Sequence, residues 1–149
     1  MRGDADVVDE LTVDHRMFDG FFMQFNDAQP GSTDRKRLVD TLVIELMRHL
    51  TFEEQHLHPV MCEHLDQGDE LTAQESDDHD RMRRLLERLR DLEPNDSDFD
   101  RLVSQLHSEF RAHVDVDENH LFPKLRLAVH PYVLDSLAKK LRVLQKGAR

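Results

Sequence analysis

Ten histidines are spread over this 149-residue chain, and four of them sit where solvent-facing residues are not expected. His15 follows Leu11 by four residues and precedes Phe18 by three. His49 follows Leu46 by three, His79 precedes Met82 by three, and His113 follows Phe110 by three. At helical spacing each lies on an apolar stripe. A buried imidazole has two nitrogens to satisfy, so four in one core are costly unless something sits between them. His49 and Glu53 are four residues apart, as are His113 and Asp117, so each pair shares one helix face. Four imidazoles and two carboxylates form a nitrogen and oxygen set that suits iron, with manganese or zinc as alternatives. On one ion the six would leave no open position; spread over two, with the carboxylates bridging, they leave room for a small molecule.

The spacing of these residues repeats. His15 to His49 is 34 residues, and so is His79 to His113; the second pair follows the first at an offset of 64. The stretch from Glu45 to Pro59 sits over Glu109 to Pro123 with six of fifteen positions identical, and Asp14-His15 sits over Asp78-His79. This is a duplicated helical hairpin, and a site on its pseudo-twofold axis would receive equivalent ligands from both halves. Single His-x-x-x-carboxylate pairs are ordinarily solvated; two copies in register with two more histidines are the stronger signal.

The elements that must carry these residues are helices. Four long segments show three- and four-residue apolar spacing, separated by turn-rich breaks at Asn26–Thr33, Leu65–Thr72 and Glu93–Asp98. Thr72 and Glu75 read as a capping box opening the third helix. A shorter amphipathic segment follows Pro131, and no segment alternates with period two. The expected fold is all-α: an antiparallel up-and-down four-helix bundle over about 4–126, with a short C-terminal helix over about 131–146, together one domain spanning 1–149.

Composition narrows the function further. Lys and Arg number 20 against 31 Asp and Glu, a formal net charge of −11. That argues against nucleic-acid or anionic-membrane partners. The single cysteine, Cys62, excludes an intrachain disulfide or a Cys-rich zinc or iron–sulfur site, and is expected to be inert. Met1–Asp9 carries no apolar run, and no stretch approaches a membrane span, so a cytoplasmic location is the expectation. Lys139-Lys140-Leu141-Arg142 would cover the bundle end or mediate a dimer.

The constellation of His15, His49-x-x-x-Glu53-Glu54 and Pro59, repeated as His79, His113-x-x-x-Asp117-Glu118 and Pro123, resembles the hemerythrin-like (HHE cation-binding) family over roughly residues 8–125. The resemblance implies a four-helix bundle holding two non-heme iron ions with oxo or hydroxo bridging. It implies that His15 and His49 serve one iron, His79 and His113 the other, with Glu53 and Asp117 bridging. The five-residue spacing of oxygen carriers would instead select Glu118 over Asp117. It also implies small-molecule partners: dioxygen, hydrogen peroxide or nitric oxide. The expected activity is peroxide decomposition or related oxygen chemistry, against binding or sensing without turnover. Arg83 stands where a further third-helix histidine is expected, which places simple oxygen carriage in question.

His56 and His120 lie three residues after the two carboxylates. At ordinary helical spacing they are either additional ligands or proton-relay groups beside the site. Glu45 and Glu109, one turn before His49 and His113, are the expected orienting groups. Asp14 and Asp78 are expected to be solvated. His58, His64, His107 and His130 are expected at the surface.

Overall fold

The structure is a computed structural model that describes residues 5–147. Helix α1 spans Val7–Asp27, α2 Thr33–Phe52, α3 His58–His64, α4 Gly68–Asp91, α5 Phe99–Val116, α6 Phe122–Ala128 and α7 Pro131–Gly147. No strand occurs among the described residues. The expected start of the bundle near residue 4, and residues 148–149, lie outside the described residues. No helix of the described residues is long and apolar enough to cross a membrane.

Local chemistry explains where the helices begin. Asp6 caps α1: its side chain accepts the N–H of Asp9, and the Asp9 side chain accepts the N–H of Asp6. Ser32 caps α2 by accepting the N–H of Arg35. The third long helix starts earlier than its sequence implies. Gln67 takes a left-handed conformation (φ 58°) and α4 begins at Gly68, so the expected break at Leu65–Thr72 shrinks to Leu65–Gln67. Gly68 is required there: a Cβ would stand 2.1 Å from the Met61 carbonyl oxygen of α3. Glu75 is therefore a buried residue two turns into α4, not the end of a capping box.

Two π-helical turns join helices that read as single segments. Glu53–Leu57 links α2 to α3 and Asp117–Leu121 links α5 to α6. The N–H of His58 donates to the Glu53 carbonyl five residues back, and Phe122 repeats this with Asp117. A proline follows each turn, at Pro59 and Pro123. Its ring would collide with the carbonyl four residues earlier in a regular helix, and the extra residue in the preceding turn relieves that.

The four long rods α1, α2–α3, α4 and α5–α6 form the bundle, each antiparallel to its neighbours. His15 meets His49, while Phe25 meets Arg35 ten residues later at the far end. Arg83 reaches Thr51 and Lys36 reaches Leu89; Asp78 meets His113 and Arg88 meets Asp98. Phe22 stacks on His107 and Phe25 packs against Phe99 at a tilt, closing the ring between α1 and α5. This is the antiparallel up-and-down bundle expected from the sequence. The C-terminal α7 packs along α1.

Two apolar cores fill the bundle. One joins Phe18, Phe22, Phe25, Leu42, Leu46, Leu86, Phe99 and Phe110. The other joins Leu11, Phe52, Leu57, Met61, Leu121, Leu125, Leu137 and Leu141. Between them, at the level of His15, His49, His79 and His113, runs a buried polar layer.

Candidate metal centre

The polar layer consists of side chains with nowhere to direct their inner atoms. Nε2 of His15, His49, His58, His79 and His113, both oxygens of Glu53 and of Asp117, and Oε1 of Glu75 are buried with no hydrogen-bond partner. Each such atom costs about 1–3 kcal/mol in a folded protein. Close approaches within the layer, such as His79 Nε2 to Glu53 Oε1 at 3.1 Å and His113 Nε2 to Asp117 Oδ2 at 3.1 Å, offset part of that cost. A cation offsets that cost directly, because every one of these atoms is a metal donor.

The cluster has two halves. The rings of His15 and His49 lie 5.2 Å apart and those of His79 and His113 5.1 Å apart. Glu53 spans the halves: Oε2 is 3.5 Å from His49 Nε2, and Oε1 is 3.1 Å from His79 Nε2. Asp117 Oδ2 is 3.1 Å from His113 Nε2, and Glu75 Oε1 is 3.6 Å from the same nitrogen. Donor atoms of Glu53, Glu75, His79 and His113 all fall within 4.8 Å of one another, so that group can hold a metal ion.

The outer nitrogens are held by carboxylates in the same duplicated pattern. His49 Nδ1 donates to Asp14 (3.1 Å) and His113 Nδ1 to Asp78 (3.1 Å). His15 Nδ1 donates to Glu118 (2.7 Å) and His79 Nδ1 to Glu54 (2.8 Å). Such a carboxylate turns the ring so that Nε2 faces inward and raises its basicity as a ligand. Arginines anchor two of the four: Arg16 grips Glu118 and Arg83 grips Glu54. Gln145 of α7 donates to Asp14, and Arg81 pairs with Asp78.

A sequence profile of the hemerythrin HHE cation-binding domain matches residues 6–144. The chain belongs to the hemerythrin HHE cation-binding family. A hemerythrin-like protein of Schizosaccharomyces pombe is 25% identical over 120 residues, 80% of this chain and 59% of that protein. The chain thus spans a little under two thirds of that relative. A crystal structure of a hemerythrin HHE cation-binding domain-containing protein from Mycobacterium kansasii has the same fold. Its TM-score is 0.82 at 19% identity, covering 96% of this chain and 86% of that one.

The hemerythrin-like domain brings together all six residues that the sequence singles out: His15, His49, Glu53, His79, His113 and Asp117. It adds two that sequence reasoning missed. His58, expected at the surface, is buried, its ring 5.2 Å from that of His79. Glu75 was masked by its resemblance to a cap, although Glu75-x-x-x-His79 has the same one-turn spacing as His49-x-x-x-Glu53. His56 and His120 stand outside the cluster. His56 packs on Phe52, and His120 is exposed. The π-turns are the reason: the extra residue rotates the following helix, so position five after Glu53, His58, faces inward where position three would in a regular helix. The proline six residues after each carboxylate was the available signal.

The remaining corrections concern the surroundings. Glu118, the alternative to Asp117, binds His15 Nδ1 and Arg16 and stands outside the inner cluster. Asp14 and Asp78 are not merely solvated but hold His49 and His113. Glu45 and Glu109 do not orient those histidines; they pair with Arg48 and Arg81. Arg83 points outward to Glu54, and the additional third-helix donor is Glu75, one turn before His79 instead of one turn after. Cys62, His64 and His130 are exposed, and His107 is half-buried against Phe22.

Without a metal ion, His49, His113 and Glu75 favour their protonated forms, while Glu53 and His58 favour their deprotonated ones. Burial opposes charge on His49, but Glu53 and Asp14 outweigh it and push the imidazole up to about 10. His113 is raised well above its ordinary value against the same burial, by Asp117 and Asp78. Burial and the charge of Asp117 push Glu75 up to about 10. Glu53 is held well below the usual carboxylate range, despite its burial, by His49 and His79. Burial lowers His58.

Proposed function

We propose that this hemerythrin-like domain holds two iron ions and reacts with a small oxidant, with hydrogen peroxide decomposition as the activity. The supporting observation is the set of ten buried donor atoms with no hydrogen-bond partner, arranged as two imidazole groups joined by Glu53, with Asp117 beside His113. His15 and His49 would hold one ion. His58, Glu75, His79 and His113 would hold the other, with Glu53 and Asp117 between them. The imidazole and carboxylate donors fit iron better than a thiolate-preferring metal. Two iron ions, when bound, would relay the electron pair that peroxide decomposition transfers from one peroxide molecule to another.

The chain's own groups supply the rest. The Nδ1 carboxylates fix each ring, so the donors are positioned before an ion arrives. The first ion would have four protein donors and the second six, so an open position belongs to the first. Leu11 lies one turn before His15, and Phe122 stacks on its ring at 5.9 Å, so that side is bounded by apolar groups that exclude water.

The decisive experiment measures iron per chain, the visible spectrum, and oxygen release from peroxide by the iron-loaded protein. Two irons per chain with steady oxygen release support the reading. Two irons with reversible dioxygen or nitric oxide binding and no turnover would replace peroxide decomposition by binding or sensing. A chain that binds no iron would overturn it.

A further inference from the structure

A cavity of about 250 Å³ lies between α4 and the second π-turn, lined by Leu71, Gln74, Glu75, Asp78, Val116, His120, Leu121 and Lys124. Its inner wall is part of the cluster. Glu75 is 4% exposed, its Oε1 has no hydrogen-bond partner, and that atom lies 3.6 Å from His113 Nε2. Beside it, Asp78 holds the outer nitrogen of His113. One carboxylate therefore faces both the cavity and the donors.

The repeat shows why this cavity exists. Subtracting the offset of 64, the lining residues Gln74, Glu75, Asp78 and Leu121 map onto Glu10, Leu11, Asp14 and Leu57. In the first half that groove is filled by α7. Leu137 and Leu141 pack in one core with Leu11 and Leu57, Arg142 pairs with Glu10 at 2.9 Å, and Gln145 bonds Asp14 at 3.0 Å. The duplicated groove beside α4 has the same walls, but no α7-like helix of the described residues fills it. Its deepest residue is a carboxylate where the first half has a leucine.

The geometry points to this groove as the path by which a divalent cation enters the centre, with Glu75 as the first buried ligand it meets. The inference rests on the proposed metal centre. A cation stripped of water needs an oxygen donor at each stage, and Gln74, Asp78 and Glu75 supply them in order of depth: exposed, half-buried, buried. Lys124 at the rim opposes the same charge.

The test is the rate at which metal-free protein takes up Co²⁺, followed by absorbance, with final stoichiometry measured separately. Gln74→Trp and Val116→Phe, both at exposed positions, narrow the groove; each should load at least tenfold more slowly to the same final stoichiometry. Lys124→Glu should load about threefold faster at low salt, the gain fading as salt screens it. Met23→Trp, on an exposed site elsewhere on α1, should load at the wild-type rate. Wild-type rates in both narrowed variants would overturn the path while leaving the centre intact. A lower final stoichiometry at unchanged rate would also overturn it, because those positions would then shape the site itself. A wild-type chain that takes up no Co²⁺ would overturn the centre and the path together.

Discussion

The two halves of the centre descend from one hairpin pattern, yet they differ at three places. Each half has two inward imidazoles, one buried carboxylate a turn after an imidazole, and an aspartate and a glutamate on the outer nitrogens. Where the first half has Leu11 and Phe122, the second has Glu75 and His58. Where the first is covered by α7, the second borders a cavity. What the repeat preserves is the orientation of the donors. What it varies is their number and their covering. A symmetric scaffold thereby builds two unequal halves, one rich in donors and one bounded by apolar groups.

The comparison breaks most completely if the shared residue is removed. Glu53→Ala takes a donor from both halves, and metal content per chain should fall to less than half the wild-type value, as measured by elemental analysis. Retention of the wild-type content would show that the halves bind independently.

Making the second half resemble the first is more discriminating. Glu75→Leu with His58→Phe should weaken the second position by on the order of 100-fold or more, by the measure of what lost supporting groups cost metal sites. The same double variant removes two buried unpartnered polar atoms, so the metal-free protein should gain about 2–6 kcal/mol. Thermal melting in chelator reads the gain, and calorimetric titration with Co²⁺ reads the loss. A metal-free protein that is destabilised would mean that Glu75 and His58 serve the fold and not an ion.

Proton occupancy gives a third contrast, between empty and loaded protein. His49 and Glu75, each raised to about 10 without metal, bind more protons folded than unfolded. The stability this confers is fully present only below their unfolded values, near 6.5 and 4.5, and is lost as pH rises through about 10. The melting temperature of metal-free protein should therefore fall between pH 7 and pH 10. Ligand groups must be deprotonated to bind metal, so affinity for Co²⁺ should keep rising with pH until about 10, where His49 and Glu75 give up their protons. A flat metal-free profile above pH 7 would contradict the proton uptake assigned to the empty cluster.

The smallest effect separates the two coverings. Asp78→Asn should weaken metal binding about tenfold through His113. Gln145→Ala, which only loosens Asp14 from α7, should change it less than threefold. Equal effects of the two, measured in one competition series with a chelator, would mean that α7 does more than cover the first half.

Much of this molecule is legible along the chain. His15, His49, Glu53, His79, His113 and Asp117 stand out because a polar donor on an apolar stripe is conspicuous, and the offset of 64 makes the coincidence double. The bundle follows from the same stripes. His58 turns inward and His56 and His120 stay outside the inner cluster because the helix widens to a π-turn before Pro59 and Pro123, where a uniform 3.6-residue period places His58 at the surface. Glu75 was missed because a carboxylate three residues after a threonine also fits a helix start, and only the close approach of Gly68 to Met61 moves that start to an earlier turn.

Composition and periodicity thus sufficed for residue types, their faces and their duplication, since these depend on local geometry that repeats every turn. The partners of the outer nitrogens did not follow from them: Glu118 reaches His15 across 103 residues and Glu54 reaches His79 across 25, contacts that exist only once the four rods close. Nor did the inequality of the halves. It depends on α7 filling one groove of a duplicated pair, and which groove a terminal helix fills is decided by the summed packing of Leu137, Leu141, Arg142 and Gln145 against α1, a balance that no local pattern encodes.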